Sequence, residues 1–252
     1  MTDIHKAFGA MVVLDGVDVS VEHGQTLVVL GRSGTGKSVL IKCLVGLLTP
    51  DRGRIEIDGQ DVESLNGSEL QALRQKLGFL FQAGALYSSM TVGENMSFAI
   101  TQHNPDASDD ELADRIAERL TWVGLPDTMD KLPSDLSGGQ QKRIALARAL
   151  MTDPELMLYD EPTTGLDPVT GNEIAQLIAR LKDERGMTAI AITHDIPCAE
   201  LIADRAVMLD NGKVIAEGTL DEFGSSDNPM VRFFMAGEFT RDAALFVDGV
   251  AQ

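Results

Sequence analysis

Lys37 and Ser38 close a glycine-rich stretch, GRSGTGKS from Gly31, whose residue types suit phosphate binding. At the start of a helix, glycines let backbone N–H groups turn toward phosphate oxygens, and the lysine neutralises charge on them. The serine hydroxyl is a ligand for Mg²⁺. The apolar run TLVVL precedes the stretch and an amphipathic run follows it, as this phosphate loop requires. The pattern predicts a site for a nucleoside triphosphate.

Asp160 and Glu161 end the apolar run of LMLYDE. The carboxyl end of a strand is the edge at which α/β sheets bind ligands. Asp160 can hold Mg²⁺ there, and Glu161 can act on a water molecule. Taken alone, the pair also fits an ordinary exposed strand end. Together with the phosphate loop, it predicts ATP hydrolysis.

A second glycine-marked helix start lies in DLSGGQQKRIALARAL, which begins at Asp135. Ser137 is a good N-cap, and Gln140 completes a capping box. Gly138 and Gly139 leave the N–H groups of the first turn unshielded. No acidic residue compensates the helix dipole there, so the stretch is a candidate anion site. The alternative is a plain capped helix.

Strands must place these residues at one edge of a sheet. Residues 11–30 alternate apolar and polar residues and then run fully apolar, which predicts antiparallel strands feeding a buried strand at Thr26–Leu30. A helix is predicted to begin near Gly36, and Leu77–Gln82 is predicted to be another buried strand. Strand patterns return in LMLYDE, MTAIAITHD, RAVMLDNG and KVIAEG. The order predicts a parallel-sheet core.

Helical patterns without strands fill residues 91–150. Ser108 and Glu111 predict a capping box, after which one apolar helix face is formed by Leu112, Ile116, Leu120 and Val123. Another helix is predicted to be capped by Asp167, to begin at Pro168 and to stop at Gly186. A helical insert therefore interrupts the sheet.

Composition narrows the function classes. The 252 residues suffice for one large α/β domain, and the net charge of −18 argues against direct binding of nucleic acid or anionic lipid. No apolar run approaches the length of a membrane span, and the first residues lack the blocks of a signal peptide. Cys43 and Cys198 are interpreted as buried thiols. We expect a cytoplasmic protein that reaches a membrane only through a partner.

The motifs together resemble those of the ATP-binding-cassette ATPases, from near Ile4 to about Glu222. In chain order, Gly31 to Ser38 match the Walker A loop, Gln82 the Q-loop, Leu136 to Gln140 the signature motif and LMLYDE the Walker B strand. Asp167 in TTGLD matches the D-loop, and His194 matches the switch histidine. Phe8 falls where the family has an aromatic residue that stacks on adenine.

This resemblance implies a set of site residues. Glu161 is the expected catalytic base, assisted by His194 and Gln82. The expected ligands of Mg²⁺ are Ser38, Gln82 and Asp160. The expected ATP contacts are Phe8, Gly31, Ser33, Gly34, Gly36, Lys37, Ser38, Val39, Ser137, Gly138, Gly139, Gln140 and Asp167.

The implied fold is α/β, a P-loop NTPase core with an antiparallel β subdomain and an inserted α-helical subdomain, the ABC nucleotide-binding domain. The ATPase domain would span residues 1–222, with the helical subdomain at about 91–150. Residues 223–252 form a C-terminal tail in which Val231, Phe233, Phe234 and Met235 are expected to pack as a short helix. The tail is either a dimer or partner contact or a partly disordered end.

The resemblance also implies partners. Two copies would bind face to face around two ATP molecules, each signature capping the γ-phosphate on the other copy's loop. Residues 84–99 would form the groove for a membrane permease, with Leu86, Tyr87 and Met90 exposed there or else part of the subdomain core. The expected location is the cytoplasmic face of the inner membrane.

Within the family, FQAGALYSSMTVGENMSFAI, GRSGTGKSVLIKCLVGLL and NPMVRFF look most like the Mla/Mce ATPases, which power lipid transport between bacterial inner and outer membranes. That likeness implies a phospholipid substrate, a permease similar to MlaE and an Mce-domain protein. A cassette for another small solute is the alternative.

A cassette outside transport is disfavoured, because the chain has one cassette, no long coiled coil and no basic linker. A P-loop kinase would leave LSGGQ unexplained.

Overall fold

The computed structural model describes residues 1–102 and 104–237. Its strands are β1 (Thr2–Phe8), β2 (Met11–Val17), β3 (Thr26–Leu30), β4 (Arg52–Arg54), β5 (Glu56–Ile57), β6 (Gln60–Asp61), β7 (Leu77–Leu80), β8 (Leu156–Asp160), β9 (Thr188–Ile192), β10 (Arg205–Asp210) and β11 (Lys213–Gly218). Its α-helices are α1 (Lys37–Leu44), α2 (Gly67–Gln75), α3 (Val92–Thr101), α4 (Asp109–Trp122), α5 (Gly138–Ala149), α6 (Pro168–Arg185), α7 (Ile196–Ile202), α8 (Leu220–Gly224) and α9 (Pro229–Met235).

A six-stranded sheet in the order β11-β10-β3-β9-β8-β7 forms the centre of the molecule. Its strand pairs are parallel except for the β10–β11 hairpin. Every residue of β3 and β9 is buried, the pattern of parallel strands covered on both faces. Since the carboxyl ends of these strands meet at one edge, the phosphate loop, Asp160 and Glu161 come together there.

Both faces of this sheet are packed. Along β3, Val28 and Leu30 join one hydrophobic cluster, whereas Leu27 and Val29 join the other, as the two-residue period of a strand dictates. The first cluster contains apolar residues of α3 to α7, and the second contains those of α1. Helices packed on both faces therefore hold the sheet in place, including the edge at which the phosphate loop, Asp160 and Glu161 lie.

An antiparallel sheet of β2, β1 and β4 forms the β subdomain that the sequence predicted. Phe8 at the end of β1 pairs with Met11 at the start of β2, which places an exposed aromatic ring at this tip. The Asn211–Gly212 turn joins the two sheets, because Gly212 O accepts a hydrogen bond from Asp15 N at 2.8 Å.

The helical insert follows the predicted pattern. The four residues of the predicted apolar face of α4, Leu112, Ile116, Leu120 and Val123, are all buried. Ser108 Oγ accepts a hydrogen bond from Glu111 N at 3.3 Å. The reciprocal bond from Ser108 N to the Glu111 side chain, which a capping box requires, is not among the bonds of the described residues. That part of the prediction is therefore wrong.

One further expectation differs from the structure. The strand predicted at Leu77–Gln82 ends at Leu80, and both Phe81 and Gln82 are exposed. β7 is an edge strand, and its pairing with β8 ends at Leu80. The residues after Leu80 therefore leave the sheet.

The boundary expected after residue 222 does not coincide with a break in packing. Phe223, Val231 and Phe234 are buried in the same cluster as the sheet and the insert. The short helix expected around Val231 is α9, and residues 238–252 of the proposed tail lie outside the described residues. None of the described helices combines the length and the apolar character needed to cross a bilayer.

Candidate nucleotide-binding site

The loop between β3 and α1 needs glycine at two positions. Gly31 has φ 148°, and a Cβ there would lie 2.4 Å from Leu209 O. Gly36, the N-cap of α1, has φ 104°, and a Cβ there would lie 2.8 Å from Val13 O. Neither the backbone conformation nor the space admits a side chain. The backbone therefore approaches its neighbours closely while its N–H groups remain open at the helix start.

Lys37 lies inside this loop and is only 7% exposed. Its Nζ donates hydrogen bonds to Gly31 O at 2.6 Å and to Arg32 O at 2.9 Å. Burial lowers the pKa of the ammonium, and the nearby carboxylates of Glu161 and Asp160 oppose that shift. The side chain thus holds a desolvated positive charge over the loop, where an anionic phosphate would be stabilised.

A cavity of about 890 Å³ opens at this edge of the sheet. It brings together the phosphate loop, the base-stacking candidate and the candidate catalytic groups. Of the predicted site residues, those that line it are Phe8, Ser33, Gly34, Gly36, Lys37, Ser38, Val39, Gln82, Asp160, Glu161 and His194.

Asp160 and Glu161 have different environments. Burial raises the pKa of the Asp160 carboxyl, the neighbouring Glu161 adds to the rise, and Lys37 and Lys142 oppose it. Glu161 follows β8 in a left-handed conformation with φ 50°, and its N–H donates to Ile192 O at 2.8 Å. The bend directs the Glu161 carboxylate toward the end of β9, so the two acids can serve different roles.

Glu161 Oε2 collects several contacts at the end of β9. It lies 2.8 Å from His194 Nδ1, and it accepts hydrogen bonds from Thr164 Oγ1 at 3.3 Å and from Thr193 Oγ1 at 3.4 Å. The sequence predicted Glu161 and His194 as site residues but not the two threonines. The position of these threonines after the strands β8 and β9 could have indicated that they lie at the site.

The donor set suits Mg²⁺. Ser38 offers a hydroxyl, Gln82 an amide oxygen and Asp160 a partly buried carboxylate, all oxygen ligands of the kind this ion prefers. These three residues would hold the ion beside the phosphates. When bound, Mg²⁺ neutralises charge on the β- and γ-phosphates.

The signature helix α5 begins as predicted. Gln140 N donates to Ser137 Oγ at 3.3 Å, and Ser137 N donates to Gln140 Oε1 at 3.0 Å, which completes the capping box. The first turn contains no acidic residue. Ser137 and Gly138 are exposed, and no residue from Ser137 to Gln140 lines the cavity. The open helix start therefore lies outside the chain's own nucleotide cavity.

Gly139 lies where the signature helix packs on α6, the helix that follows the D-loop. A Cβ at Gly139 would lie 2.4 Å from Thr170 Cγ2, so the start of α5 packs tightly on the start of α6. Asp167 caps α6, accepting hydrogen bonds from the N–H groups of Val169 and Thr170 and from Thr170 Oγ1. Asp167 lies in a separate depression beside Asp195 and outside the main cavity.

A buried parallel strand, a glycine loop with a buried lysine and a strand-end carboxylate define the class of P-loop NTPases. The signature helix and the helical insert narrow this class. The family model for the ABC transporter matches residues 14–164, and the chain belongs to this family. ATPase cassettes of the family bind ATP with Mg²⁺ and hydrolyse it, and they act as dimers with a membrane permease.

Curated relatives differ in what their names say they transport. The chain is 40% identical over 232 residues to mkl of Mycobacterium tuberculosis, named "Probable ribonucleotide transport ATP-binding protein", covering 92% of this chain and 64% of mkl. It is 41% identical over 222 residues to the methionine import ATP-binding protein MetN of Caulobacter vibrioides, covering 87% of this chain and 66% of MetN. The chain therefore spans just under two thirds of these relatives.

A third relative is matched over most of its length. The chain is 38% identical over 230 residues to the intermembrane phospholipid transport system ATP-binding protein MlaF of Haemophilus influenzae, covering 91% of this chain and 87% of MlaF. Among solved structures, the dimeric ATP-binding cassette MJ0796 bound to ADP and Pi is 34% identical with a TM-score of 0.78, covering 87% of this chain and 97% of that chain.

Proposed function

We propose that this protein is the ATP-hydrolysing subunit of a transporter that moves phospholipid between the bacterial inner and outer membranes. The observation that carries the ATPase part is the contact of Glu161 with His194 at the rim of a cavity that Lys37 and Ser38 also line. The phospholipid substrate is supported by the amino-acid sequence around Gln82 and by the similarity to MlaF over most of the length of MlaF.

In this proposal, the chain's own residues prepare one water molecule for attack on the γ-phosphate. Glu161 accepts the proton of the water, and His194 with the threonine hydroxyls keeps the carboxylate oriented. Lys37 and the loop N–H groups stabilise charge on the phosphates. Gln82, at the cavity wall, orients the water and the metal site.

A second copy of the chain completes each site. Ser137 and Gly138 at the start of α5 are exposed and lie outside the cavity of their own chain, so this helix start can meet a phosphate on another copy. ATP then joins two copies, and loss of the γ-phosphate releases them. This alternation supplies the mechanical step.

One variant, Glu161→Gln, tests both ATP hydrolysis and ATP-dependent dimerisation. Purified wild-type protein should release phosphate from Mg-ATP, whereas Glu161→Gln should bind ATP with little turnover and form dimers in light scattering when ATP is added. Glu155→Gln, an exposed acid paired with Lys76, is the matched control and should behave as wild type. Equal turnover by Glu161→Gln and wild type would remove Glu161 from its role, and monomers at saturating ATP would contradict the sandwich.

The permease is proposed to bind the loop after the Q-loop. Tyr87 is 47% exposed and its ring packs edge-on against Phe98, whereas Leu86 is partly buried against the core. Tyr87→Glu should therefore abolish co-purification with the permease while leaving ATP hydrolysis intact. Leu47→Glu, an equally drastic change at an exposed residue outside this loop, should retain the permease. Loss in both variants, or in neither, would place the permease elsewhere.

We assign this chain to the cytoplasmic face of the inner membrane, with an MlaE-like permease and an Mce-domain protein as its partners. The substrate class is tested by measuring ATP hydrolysis by the complex purified with these partners. Phospholipid should stimulate its ATP hydrolysis, and methionine or ribonucleotides should not. Another small solute is the second candidate, since MetN is 41% identical. Stimulation by methionine alone would favour that candidate and reject lipid.

A further inference from the structure

Lys142 is a buried cation in the middle of the signature helix. Its side chain is 6% exposed, and its Nζ donates hydrogen bonds to Gln82 O at 2.5 Å and to Phe81 O at 3.3 Å. None of the ion pairs within residues 1–102 and 104–237 includes it. The ammonium therefore ends on the backbone of the Q-loop, a segment remote in sequence, with no carboxylate as its direct partner.

Arg148 provides a second tie from the same helix to this loop. It donates to Ala85 O at 2.6 Å and to Gly84 O at 3.1 Å. Four carbonyl groups of this loop, those of Phe81, Gln82, Gly84 and Ala85, are thus bound to two side chains of α5. The side chain of Gln82 remains exposed and lines the nucleotide cavity.

These contacts place Lys142 between Ser137, which is proposed to meet the partner's phosphate, and Gln82, which lines the nucleotide cavity. Ser137 caps the start of α5, and Lys142 follows in the same helix, which rises about 1.5 Å per residue and moves as a rigid element. A shift of the helix start displaces Lys142, and its two hydrogen bonds transmit the displacement to Gln82. Misplacement of a positioned group by about 1 Å can cost a large factor in rate, so a displacement of that size at Gln82 would change turnover.

We propose that Lys142 is a positioning residue that couples contact of Ser137 with the partner's nucleotide to the placement of Gln82 in its own site. This inference rests on the proposed sandwich of two copies. A lysine suits the task because its ammonium can donate to both carbonyl oxygens at once, and without it the carbonyl of Gln82 would lose this side-chain donor.

A double-mutant cycle between Lys142 and Gln82 tests the coupling. Lys142→Met, which keeps the apolar stem, should lower kcat for Mg-ATP about tenfold and change KM little, because binding contacts remain. Lys142→Arg, which keeps the donors, should retain most of the wild-type kcat. In a Gln82→Ala background, Lys142→Met should cause no further loss, because the residue it positions is already absent. Lys131→Met, an exposed lysine of the helical subdomain, is the control and should match wild type.

The outcomes separate coupling from simple stability. Equal fold losses in both backgrounds, a change confined to KM, or wild-type kcat in Lys142→Met would each overturn the proposal. If thermal melting shows that Lys142→Met does not fold, Lys142→Gln, whose shorter side chain cannot reach both carbonyls, undergoes the same cycle with the same criteria.

A measurement of ATP-dependent dimerisation distinguishes the coupling role of Lys142 from the two-copy sandwich on which it rests. Glu161→Gln and Glu161→Gln/Lys142→Met should both form ATP-dependent dimers, since Ser137 is intact in each. Failure of Glu161→Gln itself to dimerise would reject the sandwich and the coupling together. Dimers in both proteins with additive losses in the cycle would reject only the role of Lys142.

Discussion

Glu161 Oε2 lies 2.8 Å from His194 Nδ1, a contact between the ends of two neighbouring strands. Parallel pairing of β8 with β9 sets Asp160 opposite Ile192 and so brings the residues after each strand together. Glu161 adopts a left-handed conformation there, which costs roughly 1–3 kcal/mol for a residue other than glycine. The contacts of the carboxylate with His194 and the two threonines offset this strain.

His194→Ala should lower kcat by about 10²-fold, because the base loses the group that orients it while the threonine hydroxyls remain. ATP binding should change little. Phosphate-release kinetics and nucleotide titration separate the two effects. His23→Ala is a suitable control, since His23 is an exposed histidine paired with Asp58 at 3.2 Å. Wild-type kcat in His194→Ala would show that the contact with Glu161 has no catalytic role.

Gly139→Ala and Gly138→Ala should differ although they are adjacent. A Cβ at Gly139 meets Thr170 Cγ2 at 2.4 Å, whereas a Cβ at Gly138 finds Leu166 Cδ2 at 3.6 Å. We expect Gly139→Ala to lower the free energy of unfolding by about 1–3 kcal/mol through overpacking. Thermal and urea unfolding measure this. Adding Thr170→Ala should restore much of the loss, and equal stabilities of the two alanine variants would contradict the close packing of α5 on α6.

Removal of Mg²⁺ with a chelator should stop hydrolysis while ATP still binds, because Lys37 and the loop N–H groups remain. Asp160→Asn should raise the Mg²⁺ concentration needed for half-maximal turnover, since a charged ligand is lost. Titration of Mg²⁺ at saturating ATP measures this. Asp210→Asn, at the end of β10 in the same sheet, should leave the titration unchanged. An unchanged Mg²⁺ requirement in Asp160→Asn would remove Asp160 from the metal site.

Trp122, the single tryptophan of the chain, should report contact between the insert and the core. Its ring lies between the guanidinium groups of Arg119 and Arg185, each 3.7 Å from the ring centroid. Arg185→Ala should shift the fluorescence emission to the red and lower stability by about 0.5–1 kcal/mol. Arg205→Ala, which removes a surface pair with Glu217, should leave the emission unchanged. An unaltered spectrum in Arg185→Ala would contradict the stacking.

Local patterns in the sequence predicted what depends on local structure. The bounds of β3, the apolar face of α4 and the caps Ser137 and Asp167 all follow from short-range periodicity and N-cap chemistry, and the structure confirms them. The ordered motifs were also enough to predict the fold class. The strand at Leu77 was placed too long, because an apolar run does not reveal where pairing at a sheet edge ends.

Contacts between distant segments were beyond such patterns. Nothing near Lys142 in the sequence indicates that its ammonium binds Phe81 O and Gln82 O. The packing of Gly139 on Thr170 and the burial of Val231 against the cassette likewise depend on how whole elements dock. The contacts of Lys142 and Gly139 bind the signature helix to the Q-loop and to α6.

A structure of Glu161→Gln with Mg-ATP tests the two-copy sandwich most directly. The expected result is a symmetric dimer in which Ser137 Oγ and Gly139 N of one copy lie within hydrogen-bond distance of the γ-phosphate bound at Lys37 of the other. A structure in which the γ-phosphate contacts only the chain that binds it, with both signature helices facing solvent, would contradict the mechanism.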